Sequence, residues 1–206
     1  ETVGLIGGGL ENRWPLLSLE TVLDDLLRGQ RLFTEHFGRP CQVFGRSRYG
    51  LTPFLPSLLT KLGFTGAVHT NFEDGSVPEG TQVKVRWESL DDRAVEALAR
   101  PPLDATAAET FLQYANKLGQ VLDSDQSATL VFAHWPGQGS DWLNDVRRTA
   151  KYSRALGDFQ TIEHYFANSA AAGMMDRFEA DRYKSPYMKQ AIIRRLVTQP
   201  LDQGPF

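Results

Sequence analysis

Polar and aromatic side chains follow four apolar segments, which end near residues 6, 44, 70 and 133 and have the composition of buried strands. In folds built from parallel strands, the loops after the carboxyl ends of the strands carry the working residues. A tryptophan in such a loop can stack on a sugar ring, and a histidine can hydrogen-bond a hydroxyl group. The candidate binding residues in these loops are Glu11, Arg46, Ser47, Arg48, Tyr49, Asn71, His134 and Trp135.

The two histidines near these strand ends each have a structural explanation beside the functional one. His134 and Trp135 precede a proline, so a buried structural turn explains them as well as a ligand site does. His69 ends the third strand and is a candidate substrate-binding residue, although a core histidine is the simpler explanation.

The charged candidates also have two interpretations. Arg46 and Arg48 flank Ser47 and can supply positive charge near a substrate, but arginines are also common on protein surfaces. Glu11 follows the run Gly7-Gly8-Gly9, where it can face the mouth of a site or be a solvated loop acid.

The elements that must position these residues alternate between strand and helix, which is typical of parallel βα units. The predicted strands are residues 3–6, 42–44, 64–70, 82–87, 94–99 and 128–133. The predicted helices follow the N-caps Ser18, Thr52 and Asp104 and end at Gly38, Gly63 and residue 122. From Ser140 the periodicity is helical almost to the end. We therefore expect an α/β part over residues 1–139, a helical region over 140–206, and no strand after residue 145.

Composition narrows the classes of partner. The chain has 206 residues and a net charge of −3, which gives no electrostatic reason to expect a nucleic-acid or anionic-membrane partner. A single cysteine, Cys41, excludes an internal disulfide. The sequence has no apolar run near the roughly 20 residues that span a bilayer. It opens within a strand-like segment and without an initiator methionine, so we expect that this chain is part of a larger polypeptide.

Residues 47–56 carry the most specific pattern in the chain. They read SRYGLTPFLP and are followed by Leu58-Leu59 and Gly63-Phe64. This segment resembles the stretch of family 38 α-mannosidases that reads Asp-Pro-Phe-Gly-His-Ser, then a proline, a leucine pair and Gly-Phe. Two weaker likenesses follow in the same order, one around Trp135 to Arg147 and one from Asp181 to Tyr187. The resemblance covers roughly residues 40 to 190.

The resemblance implies a seven-stranded (β/α) barrel and hydrolysis of α-mannosides with retention of configuration. In that family a zinc ion orients the sugar, an aspartate is both zinc ligand and nucleophile, and a second carboxyl group protonates the leaving oxygen. Here Ser47 stands at the position of that aspartate, and Arg48 and Leu51 replace the neighbouring proline and histidine. A serine hydroxyl is a poor zinc ligand and a weak nucleophile without a base. We therefore expect no cofactor in this segment and no metal-ligating residues.

The resemblance also suggests Asp123 as the catalytic acid, because it lies at the family's distance before Trp135. The aromatic residues that accompany this acid in the family are missing here, and a simple helix-to-strand loop is the simpler explanation for Asp123. The leading hypothesis is a carbohydrate-active, hydrolase-like (β/α)7-type barrel segment, divergent or inactive, with His134 and the Ser47 position as further catalytic candidates. A non-catalytic carbohydrate-binding or scaffolding module is the alternative, and a carbohydrate deacetylase-like barrel is the third.

Overall fold

The protein is described by a computed structural model over residues 4–48, 51–71, 83–124, 129–133, 137–169 and 177–180. These residues form five α-helices and eight short strands. The strands are β1 (Ile6–Gly7), β2 (Val43–Arg46), β3 (Gly66–Asn71), β4 (Lys84–Glu88), β5 (Ala94–Leu98), β6 (Leu103–Asp104), β7 (Phe132–Ala133) and β8 (Arg177–Phe178). The helices are α1 (Leu19–Phe37), α2 (Leu55–Lys61), α3 (Ala108–Ser124), α4 (Asp141–Ala150) and α5 (Ile162–Asn168). None of the described helices is long and apolar enough to cross a membrane.

A mixed, mostly parallel sheet organises the chain. Its six strands lie in the order β1-β2-β3-β5-β4-β8, while β6 and β7 form a separate parallel pair. The predicted α/β class is thus confirmed. The strands that the structure describes do not close into the barrel expected from the resemblance, since β1 and β8 lie at opposite edges of the sheet.

The expectation of parallel βα units throughout residues 1–139 is wrong at β4 and β5. These strands pair antiparallel, with Arg86 opposite Glu96, and a tight turn joins them. In this turn the amide of Ser89 donates to the carbonyl of Arg93 at 2.8 Å, and Asp92 adopts a positive φ of 59°. A connection this short can only form a hairpin, because a parallel crossover needs a dozen residues or more.

The expectation that no strand follows residue 145 is also wrong. β8 pairs parallel with β4, with Phe178 opposite Trp87. Phe178 is buried, and Arg177 makes two hydrogen bonds to the carboxylate of Glu88, at 2.7 and 2.9 Å. Two residues are too few to produce a period in the sequence, so long-range contacts alone define this strand. The division of the chain at residue 140 stays a prediction.

Helix α1 follows the sequence prediction closely. The Ser18 hydroxyl accepts a hydrogen bond from the amide of Thr21 at 3.3 Å, and Gly38 ends the helix with a φ of 71°. Left-handed backbone of this kind favours glycine because glycine has no Cβ. The buried face of the helix consists of Val22, Asp25, Leu26 and Gly29.

Helix α2 begins later than predicted. Its first residue is Leu55, and Thr52 is fully buried before it, with its carbonyl accepting from the amide of Leu55 at 3.3 Å. The helix ends at the predicted place, near Gly63, which has a φ of 80°. Leu55 and Leu59 are completely buried and join α2 to the main core.

That core lies between the helices and the sheet and is rich in aromatic rings. Phe44 of β2 is at its centre, 5.7 Å from Trp14 and 6.4 Å from Trp87 between ring centroids. Trp14 and Trp87 are fully buried. Burying rings of this size supplies much of the apolar free energy of folding.

Helix α1 approaches the loop after β1 closely enough to require glycine. A Cβ on Gly29 would lie 2.3 Å from the carbonyl oxygen of Gly8 and 3.1 Å from the Cα of Gly9. These neighbours are backbone atoms, which cannot rotate away as a side chain can. The loop therefore packs directly on the helix backbone.

We expect Gly29→Ala to lower the free energy of unfolding by about 2 kcal/mol or more, because the added methyl group displaces backbone. Gly119→Ala is the matched control, since Gly119 lies in helix α3 with nothing within 4 Å of its added Cβ. That change should raise stability by about 0.5–1 kcal/mol through helix propensity. Urea unfolding of both variants measures the difference; equal effects would contradict this packing.

A second prediction concerns Glu88, whose pKa is held below its ordinary value by the hydrogen bonds from Arg177, with a further contribution from Arg86. Because the native pKa lies below the unfolded value of about 4.3, this stabilisation is present above that pH and is lost as the pH falls through the native pKa. Glu88→Gln should therefore be destabilised most near pH 7 and least near pH 3.

The measurement is the difference in unfolding free energy between the wild type and Glu88→Gln at the two pH values. Glu35→Gln serves as the control, because Glu35 is exposed on α1. A deficit of Glu88→Gln that stays constant with pH would contradict the ionic link between β4 and β8.

Candidate functional site

A cleft of about 320 Å³ opens where the neighbouring parallel strands β1 and β2 end. The polar residues among its lining are Glu11, Arg46 and Ser47. The remaining lining residues are Ile6, Gly7, Gly8, Gly9, Phe33 and Gly45. The cleft thus lies at the carboxyl ends of parallel strands, where the sequence placed the first two candidate loops.

Arg46, the last residue of β2, ties this strand to the loop that follows β1. Its side chain is buried, and its guanidinium lies 3.7 Å from the centre of the Trp14 ring. Nη2 donates to the carbonyl oxygens of Leu10 and Asn12, the latter at 3.0 Å. A buried arginine needs such partners because desolvation of its charge is costly.

Asp25 holds the same loop from the side of helix α1. Its carboxylate accepts from the indole Nε1 of Trp14 at 2.7 Å and from the backbone amide of Leu10 at 3.0 Å, and Asn12 adds a longer contact at 3.5 Å. Asp25 is itself buried. Residues 10–14 are therefore fixed between a buried anion and a buried cation.

The charges around Arg46 are balanced. Burial lowers the pKa of Arg46 to about 10, and the carboxylates of Glu11 and Asp25 oppose this shift. Since the pKa stays well above neutrality, the guanidinium keeps its positive charge near pH 7. It is a permanent cation in the lining of the cleft.

Glu11 reaches across the cleft from the β1 loop to the end of β2. Its Oε1 accepts from the backbone amide of Ser47 and its Oε2 from that of Arg48, both at 3.0 Å. The same Oε2 lies 3.7 Å from Nε of Arg46, while the Glu11 side chain remains 48% exposed. Glu11 is thus a bridging residue at the mouth, and neither of its earlier interpretations describes this role fully.

The structure brings four of the sequence candidates together: Glu11, Arg46, Ser47 and Arg48. Within this group Arg46 differs from a surface arginine, because only 3% of the residue is exposed. Arg48 contributes its backbone amide while the residue itself is exposed. Ser47 lies at the rim, partly exposed.

His69 lies elsewhere, inside the core. It is completely buried, with its ring centroid 4.4 Å from that of Trp87 and 4.5 Å from that of Phe178. Burial lowers the pKa of His69 well below its ordinary value, so the imidazole is neutral near pH 7. The position matches the structural explanation for this residue and leaves it off the lining of the cleft.

The other candidates fall outside what the structure describes. Tyr49, His134 and Trp135 are not among the described residues. Asn71 ends β3 and Asp123 lies in α3, but their side chains are not described. Their proposed roles stay predictions.

Two residues of the site, Trp14 and Asp25, were missed in the sequence. A usable signal existed for Asp25, because the positions Val22, Asp25, Leu26 and Gly29 follow the spacing of one helix face. An acidic residue on an otherwise apolar face indicates a buried, hydrogen-bonded carboxylate. Trp14 had no comparable signal, since it precedes the helix.

The zinc ion implied by the resemblance does not fit the described residues of the cleft. Glu11 supplies the single carboxylate among the described lining residues, and both of its oxygens are bonded to backbone amides. The charged Arg46 lies beside it. Nor do His, Cys, Asp and Glu side chains form a group of three or more with metal-binding geometry anywhere in the described ranges.

Comparison with known proteins adds a distant structural neighbour. No protein-family model matches the chain, and no curated protein matches it. Among solved structures, an α-mannosidase from Enterococcus faecalis V583 superposes with a TM-score of 0.45 and 16% identity over 91% of this chain. The chain spans 20% of the length of that enzyme.

We expect Asp25→Asn to lower the free energy of unfolding by about 2–4 kcal/mol. The amide nitrogen would replace one of the two oxygens and so face the N–H donor of either Leu10 or Trp14, and Arg46 would lose a balancing charge. The neighbouring exposed residue provides the control: Asp24→Asn should change stability by less than about 0.5 kcal/mol. Thermal unfolding of the pair, followed by tryptophan fluorescence, tests this; a small effect of Asp25→Asn would contradict the role given to the carboxylate.

Proposed function

We propose that this chain is part of a carbohydrate-active, hydrolase-like protein similar to family 38 α-mannosidases, and that it binds a sugar without cleaving it. The observation that carries the proposal is the cleft at the carboxyl ends of β1 and β2, with Ser47 at its rim. Ser47 stands where the resemblance expects the nucleophilic aspartate.

The dimensions of the cleft support a small polar ligand. Its volume of about 320 Å³ is near the lower end of the range for small-molecule sites. Glycines form much of the wall, so backbone groups and the side chain of Ser47 are available to hydroxyl groups. A single sugar residue is a ligand of this size and character.

The carboxyl groups of the cleft argue against glycosidic hydrolysis by the two-carboxylate route. Retaining glycosidases hold two carboxyl groups roughly 5–5.5 Å apart. Among the described lining residues Glu11 has the one carboxyl group, and its oxygens are occupied by the amides of Ser47 and Arg48. The same observation favours the second candidate, a non-catalytic carbohydrate-binding or scaffolding module. A deacetylase-like role remains third, without an observation of its own.

The partners follow from the same proposal. A carbohydrate is the proposed ligand, and we propose that this chain is part of a larger polypeptide. The net charge of −3 supports neither a nucleic acid nor an anionic membrane as a partner.

The test compares the parent chain with Ser47→Asp, using an aryl α-mannoside for turnover and calorimetric titration with mannose for binding. We expect weak mannose binding by the parent and no measurable turnover, with or without added zinc. Ser47→Trp should abolish the binding, because the indole would fill the rim of the cleft.

Gln113→Trp is the matched control, since it adds the same indole on the exposed surface of α3. Zinc-dependent hydrolysis by the parent would show that the catalytic residue lies elsewhere. Absence of sugar binding by the parent would replace the proposal with the scaffolding alternative.

A further inference from the structure

Two successive backbone N–H groups at the end of β2 converge on one carboxylate. The amides of Ser47 and Arg48 each donate over 3.0 Å, one to Oε1 and the other to Oε2 of Glu11. Consecutive amides that point at one anion form a small anion-binding site. The bonds to an ionised acceptor are charge-assisted and therefore stronger than neutral ones.

Arg46 adds a fixed positive charge to these amides. Only 3% of the residue is exposed, and its Nε lies 3.7 Å from Oε2 of Glu11. Its Nη1 has no hydrogen-bond partner among the described residues. The buried charge thus favours an anion at this position beyond what two amides alone would do.

The side chain that occupies these amides can leave them. Glu11 is 48% exposed, so its carboxylate can move into water without unpacking the core, while Asp25 continues to oppose the buried charge of Arg46. The loop around it is held independently, through the bonds of Asp25 to Leu10 and Trp14 and through those of Arg46 to Leu10 and Asn12. Removal of the Glu11 side chain therefore leaves the amides of Ser47 and Arg48 without this acceptor while the loop stays in place.

We propose that the amides of Ser47 and Arg48, together with Arg46, form a carboxylate receptor that Glu11 fills from within the chain. Its external ligand is a carboxylate-bearing molecule that displaces Glu11. Where the proposed sugar-binding function holds, on which this extension rests, that molecule is an acidic sugar whose carboxylate takes the place of Glu11 at the rim of the cleft.

The internal carboxylate competes with any external one. A group tethered by a short segment has an effective concentration in the millimolar range or higher. An external carboxylate must therefore exceed this concentration, or gain further contacts in the cleft, to bind to the wild type. Without the Glu11 carboxylate this competition disappears.

The experiment measures thermal unfolding of the wild type, Glu11→Ala, Glu11→Gln and Glu35→Ala in acetate or glucuronate, against chloride at equal ionic strength. Glu35→Ala removes an exposed acid from α1 and is the control for net charge. Acetate at about ten times its dissociation constant should raise the midpoint of Glu11→Ala by about 3 °C. The wild type and Glu35→Ala should shift little.

Glu11→Gln keeps the length of the side chain, so it provides a second variant for the test if Glu11→Ala does not fold. Its neutral amide competes less well than a carboxylate, so acetate affinity should increase from the wild type through Glu11→Gln to Glu11→Ala. Shifts of the Ser47 and Arg48 amide resonances on adding acetate locate the binding. A larger response to glucuronate than to acetate identifies the acidic sugar as the ligand, and equal responses identify a simple carboxylate.

Equal shifts in Glu11→Ala and Glu35→Ala, or acetate-dependent resonances away from residues 47 and 48, would overturn the receptor. The outcome is separable from that of the sugar-binding proposal. Acetate rescue of Glu11→Ala together with no mannose binding by the parent would retain the receptor and remove the neutral-sugar function. Mannose binding by the parent without stabilisation of Glu11→Ala by acetate would retain the sugar-binding function and remove the receptor.

Discussion

The hydrogen bond between the indole of Trp14 and the carboxylate of Asp25 is the interaction on which the rest of the site depends. It lies in the core at 2.7 Å and fixes the ring over which the guanidinium of Arg46 stacks. Arg46 in turn holds the carbonyls of Leu10 and Asn12. A charge of either sign alone would be costly to bury, but each compensates the other. The polar core thereby orders the loop that carries Glu11.

Backbone packing imposes the second constraint. Helix α1 meets the loop after β1 at Gly29 and Gly8, where no side chain fits between the helix and the loop. This contact brings Asp25 within reach of the amide of Leu10. Gly7, Gly8 and Gly9 thus allow helix α1 to pack closely on the loop. Because the same glycines line the cleft, its wall has few side chains.

Much of this architecture was predictable from local sequence. Helix α1, with the Ser18 cap and the Gly38 terminus, follows from side-chain chemistry within a few residues. The turn at Asp91 and Asp92 was predictable for the same reason, but the direction of the two strands that it joins was not. The N-cap of α2 was misplaced because a turn, closed by the hydrogen bond from the Leu55 amide to the Thr52 carbonyl, precedes the helix. Strand β8 could not be predicted, since the residues of β4 that contact it, Trp87 and Glu88, lie in a distant part of the chain.

The sequence by itself determined the α/β class, the limits of helix α1, the approximate positions of most other elements up to residue 133 and the location of candidate residues near strand ends, because periodicity, capping and turn chemistry act over short distances. Only the tertiary structure decided which candidates meet. Glu11 and Ser47 are 36 positions apart, yet their contact depends on the parallel pairing of β1 and β2. The same packing put His69 into the core and buried Arg46 in the lining of the cleft. A local pattern can indicate that a residue is buried, as it did for Asp25, but the partners that it meets come from distant segments and are fixed only in the assembled chain.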